Sequence, residues 1–341
     1  MNKLSIKDIA KMAGVAPSTV SSILNGKMEA RRISEALAQK VLTIARQVGY
    51  TPNQVAVSLR TGSSKIIGLL VADIANSFYA SLAGSIEEEL KAHGYRVVYC
   101  STKNDQANSA ALLDMLAQRQ VDGYILTPAE GILDALQSLR EKGKPVILLD
   151  RYFPNYPFPY VGVDDRQGMY DGLEHLLQNG YKNIGLITLA EAQQAIRENA
   201  FNAFFQNKRS NNCVKKVLHI PANASPFETG QLITHFLQEN PSLEALFFTN
   251  SQLCKQGIKS LLDLDLKIPA GMGVLCFDDH ELFEFCPPGI SAIRQPVELI
   301  GKTAVKQVLE QIGSKNKVAK NTAEWIPGEL IPRGSTAPRS L

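Results

Sequence analysis

A chain of 341 residues, 45% hydrophobic and 20% charged, has material for two or three ordinary globular domains, which excludes a disordered or low-complexity protein. It has no run of about 20 apolar residues, so no transmembrane span is expected. Met1-Asn2-Lys3-Leu4 leads straight into a helical pattern without a signal-peptide core, and the expectation is a cytoplasmic protein. The five cysteines (Cys100, Cys213, Cys254, Cys276 and Cys286) are scattered, odd in number and never in a C-x-x-C spacing, a usage that fits reduced thiols rather than disulfides or zinc. The net charge of +3 hides an asymmetry: Met1 to Gly62 carries nine Lys/Arg against three acids, a net of +6, whereas the remainder is at −3. A basic head on a slightly acidic body is what a phosphate-binding module joined to a soluble domain would show, although many solvated surfaces are basic by chance.

Ile6 to Asn25, reading IKDIAKMAGVAPSTVSSILN, holds two short amphipathic segments around Gly14-Val15-Ala16. The first is capped by Ser5, with Asp8 reaching back to complete a capping box, and buries Ile6, Ile9, Ala10 and Ala13. The second opens with Pro17, whose fixed φ suits a first helical position, and buries Val20, Ile23 and Leu24. Outside that apolar face stand Pro17, Ser18, Ser21, Ser22 and Asn25, short or polar side chains suited to close approach to a DNA groove. The bland alternative is a small helical hairpin with a solvated face. A third helix starts at Ser34, runs through Leu37, Val41, Leu42, Ala45 and Val48, and ends at Gly49, closing a three-helix core. The loop between, with Lys27, Arg31 and Arg32, either meets phosphates or is a solvated turn.

Gln54 to Arg60 is too short to hold a helix alone in water, so it should order only when docked. It is either a flexible linker or a hinge whose Leu59 wedges between base steps in the minor groove. From Lys65 onward strand and helix signals alternate. Ile66–Val71, Tyr95–Cys100, Gly123–Leu126, Pro145–Leu149, Ile184–Thr188, Val214–Ile220, Ala245–Phe248 and Gly273–Phe277 read as strands. Phe78–His93, Ser109–Arg119, Ile132–Lys142, Met169–Asn179, Arg197–Gln206, Glu228–Gln238 and Leu253–Leu264 read as helices. This is a doubly wound α/β pattern, and its length calls for two lobes with a cleft between them.

Ligands of such sheets bind beyond the carboxyl ends of the strands, where Asp73, Asp150 and Asp278-Asp279 stand. These carboxylates, with Arg197 and Asn250, are candidates to hold sugar-like hydroxyls while Phe78, Tyr79 and Phe227 stack on an apolar ligand face. For any single aspartate the commoner role is capping a helix. Catalytic patterns are absent: there is no G-x-S-x-G, H-E-x-x-H, phosphate loop or G-x-G-x-x-G after a strand, and the five histidines have no metal spacing. No enzymatic activity, cofactor or metal is expected.

The stretches IKDIAKMAGVAPSTVSSILNG, VGYTPNQVAVSLRTG, IGLLVADIANSFYASLAGSIEEEL and VILLDR, with FDD, IRQP and IPRGST near the end, resemble the LacI/GalR family of transcription regulators from Ile6 to Thr336. The resemblance implies a helix-turn-helix DNA-binding domain at 1–52, a hinge helix at 53–62 and a two-lobed periplasmic-binding-protein-like core at 63–341, with lobes at 63–163 plus 292–320 and 164–291 plus 321–341. It implies a homodimer reading double-stranded DNA at a palindromic operator, a repressor controlled by a small-molecule effector of the carbohydrate class held in the cleft. Pro17, Ser18 and Ser22 fall where the family meets base edges, and Ser5, Thr19, Ser21, Asn25 and Ser34 where it holds phosphates. Asn53, Ala56 and Leu59 fall on the hinge, while Asp73, Phe78, Tyr79, Asp150, Arg197, Asn250 and Asp278 match effector-pocket positions. Ser22 stands where many members carry arginine, Ser251 replaces a common aspartate, and Phe201-Asn202 disturbs the usual glycine pattern after Arg197. The tail carries no heptads, so a coiled-coil tetramer is not expected. The alternative reading, a sugar-binding protein of transport or sensing, would share the core but lack the head.

Overall fold

The computed structural model describes residues 4–24, 26, 28, 31–50, 54–191, 195–207, 213–314 and 323–339. The chain divides into two compact units, Met1–Ser64 and Lys65–Leu341.

The first unit holds α1 (Ile6–Ala13), α2 (Pro17–Leu24), α3 (Glu35–Gln47) and α4 (Gln54–Thr61). Ser5 and Asp8 make the reciprocal cap: the Asp8 amide donates to Ser5 Oγ at 3.4 Å and the Ser5 amide to Asp8 Oδ2 at 2.7 Å. Gly14, at φ 72°, supplies the left-handed residue that ends α1, a conformation costly for any side chain. Ile9, Ala10, Ala13, Val20, Ile23, Ala38 and Val41 form the core, with Ile6, Leu24, Leu37, Leu42 and Val48 packed partly buried around it.

One expected surface residue turns inward. Ser22 is only 8% exposed, and its hydroxyl donates to the Ser18 carbonyl at 2.9 Å. A small side chain satisfied by the carbonyl four residues back can enter the core flank with no unpaired group, so Ser22 leaves the outer face that was read for it. Asn25, Asn53 and the side chain of Ala56 lie outside the described residues. The hinge segment, expected to wait for a docking partner, is already helical. Its C-terminal turn is closed by the Thr61 hydroxyl donating to the Val57 carbonyl at 2.9 Å and by the Gly62 amide donating to Ser58 at 2.7 Å, and Leu59 stands 70% exposed.

In the second unit the order begins β1 (Ile66–Val71), α5 (Ser77–Ala92), β2 (Arg96–Ser101), α6 (Gln106–Gln118), β3 (Gly123–Leu126), α7 (Leu133–Glu141), β4 (Val146–Leu149), β5 (Tyr160–Val163) and α8 (Asp165–Gln178). It continues β6 (Ile184–Leu189), α9 (Ala195–Asn207), β7 (Lys215–Ile220), α10 (Pro226–Glu239), β8 (Ala245–Phe248), α11 (Ser251–Asp263), β9 (Gly273–Phe277) and α12 (Leu282–Phe285). Last come β10 (Ser291–Arg294), α13 (Val297–Gly313), β11 (Ala323–Ile326) and β12 (Glu329–Ile331). Two six-stranded sheets result, ordered β11-β5-β4-β3-β1-β2 and β12-β10-β9-β8-β6-β7. Among the described residues pairing is parallel except between β10 and β12, in keeping with the two doubly wound parallel sheets expected.

The late crossings between lobes also differ from the sequence reading. Ser291–Arg294 pairs with β9 and so belongs to the second lobe, whereas Ala323–Ile326 pairs with β5 in the first. Between them α13 packs on α5, burying Ile300, Ala304 and Val308 against Ile86 and Leu90 in the first lobe's core. The chain thus crosses after Val163, after Arg294 and after Ile326.

Close helix-to-sheet approach depends on small residues. At Gly257 of α11 an added Cβ would lie 2.1 Å from the ring of Phe248, which is fully buried in the sheet beneath and cannot swing aside. Gly257→Ala is expected to destabilise the second lobe by about 1–3 kcal/mol through overpacking. Urea unfolding checks this, and an unchanged midpoint would refute it.

Candidate functional site

The carboxyl ends of both sheets face a cavity of about 360 Å³. From the first lobe Asp73 follows β1, Phe78 and Tyr79 open α5, Asn104 follows β2, and Asp150 and Arg151 follow β4. From the second, Glu191 follows β6, Arg197 lies on α9, Asn250 follows β8, Asp278 follows β9 and Gln295 follows β10. Seven of the eight effector candidates therefore meet in one cleft.

The eighth, Phe227, does not. It is 72% exposed on α10 and does not line the cavity. Its neighbour Pro226 opens α10 and faces the cleft, and one helical step of about 100° carries the next side chain away.

Arg197 anchors the floor. It is almost wholly buried, its Nε donating to Asp165 Oδ1 at 2.7 Å, its Nη1 to the Thr249 carbonyl, and its guanidinium carbon lying 3.7 Å from the centre of the Phe277 ring. Burial opposes the cation, but Asp165, Asp278 and Asp150 more than offset it, and the guanidinium is held above its ordinary pKa. Asp165 was not among the sequence candidates. Burial pushes its carboxyl up while Arg197 pulls it back.

Asp150 and Asp278 occupy equivalent places, each after the third strand of its sheet, and each is left-handed, at φ 62° and 80°. Few residues other than glycine adopt that conformation, and where they do the strain is commonly kept for a ligand. Tyr79 donates its hydroxyl to Asp150 Oδ2 at 2.7 Å, and Gln295 Nε2 donates to Asp278 Oδ1 at 2.5 Å. Part of Asp278 opens to the cleft, but its carboxyl is packed among protein atoms, and burial raises its pKa against the pull of Arg197. At the rim, Lys103 Nζ donates to Asp73 Oδ1 at 2.5 Å and holds that carboxyl below its usual range. Asn250 caps α11, its Oδ1 accepting from the Leu253 amide at 2.9 Å, which leaves its amide nitrogen as the donor for any ligand.

Sequence reading missed Arg151, Asn104, Glu191 and Gln295 as lining residues. Two had a signal in plain view, since Arg151 ends VILLDR and Gln295 sits in IRQP. Asn104 and Glu191 stand in loops whose direction only the packed sheets decide.

In the head, Pro17 and Ser18 are exposed at the start of α2, Thr19 and Ser21 are half-exposed, and Ser5 and Ser34 are helix caps. A helix-turn-helix head on a chain whose second unit is a two-lobed ligand-binding core defines a DNA-binding transcription regulator.

The comparisons agree. Residues 5–53 match the model of bacterial regulatory proteins of the lacI family, and residues 173–336 match that of the periplasmic binding protein-like domain. The HTH-type transcriptional regulator DegA of Bacillus subtilis is 30% identical over 98% of this chain and 99% of its own. The HTH-type transcriptional repressor PurR of Haemophilus influenzae is 29% identical over 97% and 98%. The lac repressor dimer bound to operator shares the fold with a TM-score of 0.86 at 21% identity, covering 98% of this chain and 100% of that one. A periplasmic binding protein/LacI transcriptional regulator from Alkaliphilus metalliredigens, complexed with D-xylulofuranose, matches with a TM-score of 0.68 at 20% identity, covering 80% and 98%. The chain belongs to the LacI family of bacterial regulatory proteins.

A carboxyl whose folded pKa is raised favours the protonated native state, so its stabilising contribution is complete below the unfolded value and is lost as pH rises through the folded one. Asp278 therefore weakens the fold at neutral pH. Asp278→Asn, which retains an acceptor for Gln295, is expected to raise the thermal midpoint at pH 7.5, with the gain vanishing towards pH 4. Melting curves at both pH values check this, and a lower midpoint at pH 7.5 would contradict it.

Proposed function

We propose that the protein is a homodimeric repressor whose hold on a palindromic operator is set by a neutral carbohydrate in the cleft. The cleft's charge balance carries the ligand class. Asp73, Asp150, Asp278, Glu191 and the adjoining Asp165 are set against Arg151, Arg197 and, at the rim, Lys103, so the acids are in excess and a further negative charge is unfavourable. Hydroxyls both donate to carboxylates and accept from guanidinium and amide groups, which this mixture requires. The Phe78 ring supplies an apolar wall, and about 360 Å³ suits a monosaccharide. The xylulofuranose complex of the Alkaliphilus neighbour is in keeping with that class.

On the DNA side, the +6 head is attracted to phosphate. Pro17 and Ser18 would approach base edges, Ser5, Thr19, Ser21 and Ser34 would meet the backbone with their helix N-termini, and Leu59 would enter the minor groove. Ser22 contributes to the head's packing instead. Asn25, Asn53 and Ala56 stay in the DNA contact set on the family pattern alone. Ile74, Leu282, Phe285 and Leu299 are exposed apolar side chains of the core and would be candidates for contact with a second copy. Such a regulator works in the cytoplasm, on the nucleoid.

Melting the protein with neutral sugars and with the matching sugar acids tests the effector reading, and stabilisation by acids alone would sink it. Gel shifts on a palindromic operator at two salt concentrations test the DNA reading, since phosphate contacts impose a steep salt dependence. Leu59→Ala is expected to weaken specific operator binding at least tenfold while leaving non-specific binding nearly unchanged, about the 1.4 kcal/mol of a lost wedge contact. Equal losses on both DNAs would remove Leu59 from the groove.

A further inference from the structure

Two charged side chains in the cleft belong to different lobes and hold each other. Arg151 Nη2 donates to Glu191 Oε2 at 3.4 Å, Nη1 donates to Asn104 Oδ1 at 2.9 Å, and Nε lies 3.8 Å from Asp150 Oδ2. Arg151 and Glu191 side chains are 11% and 17% exposed, so solvent ions screen the pair little. The contrast with Arg197 is physical. Arg197 is fixed at 2.7 Å to an aspartate of its own lobe, whereas Arg151 spans the gap at a separation that a small rotation of one lobe would break.

The residue after Arg151 connects this contact to the strands that cross between lobes. The Tyr152 ring lies 5.0 Å from Trp325 and 5.0 Å from Tyr160, and Trp325 lies 4.6 Å from Tyr160. Trp325 on β11 stands opposite Gly162 on β5. A Cβ at Gly162 would meet the Tyr160 hydroxyl at 2.0 Å, so the missing side chain is what lets that ring lie along the strand beneath Trp325. The same hydroxyl donates to the Asp150 carbonyl at 3.4 Å. β5 and β11 are the strands from which the chain passes into the second lobe, at Val163 and Ile326. Glu191, Arg151, Tyr152, Trp325 and Tyr160 thus form one continuous path from the far wall of the cleft to two of its three crossings.

We propose that the Arg151–Glu191 pair is a latch between the lobes, and that the Tyr152–Trp325–Tyr160 stack carries its opening to the crossing strands. A ligand hydroxyl that takes Arg151 from Glu191 releases the latch, and the stack then rearranges where the lobes pivot. The inference rests on the cleft as the effector site and adds a gate to it. Its test contains neither DNA nor sugar, so its failure would leave the regulator reading untouched.

Trp325 is the single tryptophan, so emission excited at the red edge, beyond tyrosine absorption, reads this stack alone. In the full-length protein, Glu191→Gln is expected to shift the ratio of open to latched molecules by about fivefold. The shift should appear as a displaced emission maximum and stronger acrylamide quenching than wild type. Glu198→Gln, which breaks a pair with His219 within the second lobe, should leave both signals at wild-type values. Signals identical in wild type and Glu191→Gln, or changed equally by Glu198→Gln, overturn the latch. In a Tyr152→Leu background Glu191→Gln should no longer move the emission, and a displacement of the original size overturns the role of the stack. If Glu191→Gln does not fold, Arg151→Lys serves instead, because an ammonium cannot span Asn104 and Glu191 together; unchanged emission in that variant equally overturns the latch.

Discussion

A guanidinium taken out of water must be matched charge for charge and donor for donor, and Arg197 sets that requirement at the centre of the core. Its partners come from separate places in the chain: Asp165 from the first turn of α8, the Thr249 carbonyl from the end of β8, and the Phe277 ring from the end of β9. Desolvating such a group costs several kcal/mol, which the pairing offsets only while all three partners stay in place. Two of these places, the ends of β8 and β9, also aim Asn250 and Asp278 at the cleft. A rigid floor follows from one buried charge.

Around that floor the cleft keeps features that work against folding. Asp150 and Asp278 both adopt the left-handed conformation, and Asp278 holds a carboxyl whose burial favours its protonated form. Neither feature helps the chain fold, and a sheet end needs neither. Both place acceptors where a polar ligand would supply the missing donors, the usual relation between local strain and a binding site. The first lobe is tied to the same space more loosely, through Tyr79 on Asp150 and through Arg151. Rigidity on one side and a weaker contact across the gap are the conditions under which a small ligand can bias the relation between two lobes.

The head solves a different problem. Its core is small, and its helices are short, so capping and turn geometry supply a larger share of their stability. Ser5, Asp8, Gly14 and Ser34 provide that closure. The side chains left outside α2 are short and uncharged, and with Ser22 turned inward fewer remain than the helical wheel offered. On the function proposed for it, a head with so few base-reading groups would gain specificity from pairing with a second copy and from the cost of bending the duplex at the hinge.

The boundaries of α1, α3, β1, β3 and the aspartates at strand ends were legible in the sequence because they rest on local physics: caps, glycine stops and continuous apolar runs in doubly covered strands. The length of the α/β alternation called for two lobes, the strand ends pointed to the seven cleft residues, and the family resemblance matched the same positions. The short strands β5, β10 and β11 and the helix α13 were not read, and the lobe crossings were misplaced by the strands on either side of α13. A four-residue strand such as Tyr160–Val163 or Ala323–Ile326 carries too little pattern to name its partner; only non-local pairing decides which sheet it joins. The structure places Phe227 and Ser22 off the faces expected of them for a related reason, since a step of about 100° per residue moves a side chain between faces and the packed neighbours settle which is buried. The sequence by itself determined the head, the hinge and the residue types of the cleft. Tertiary structure decided which of those residues face one another, because the Arg151–Glu191 contact and the Tyr152–Trp325–Tyr160 stack join positions whose proximity exists only once two sheets have been assembled and crossed.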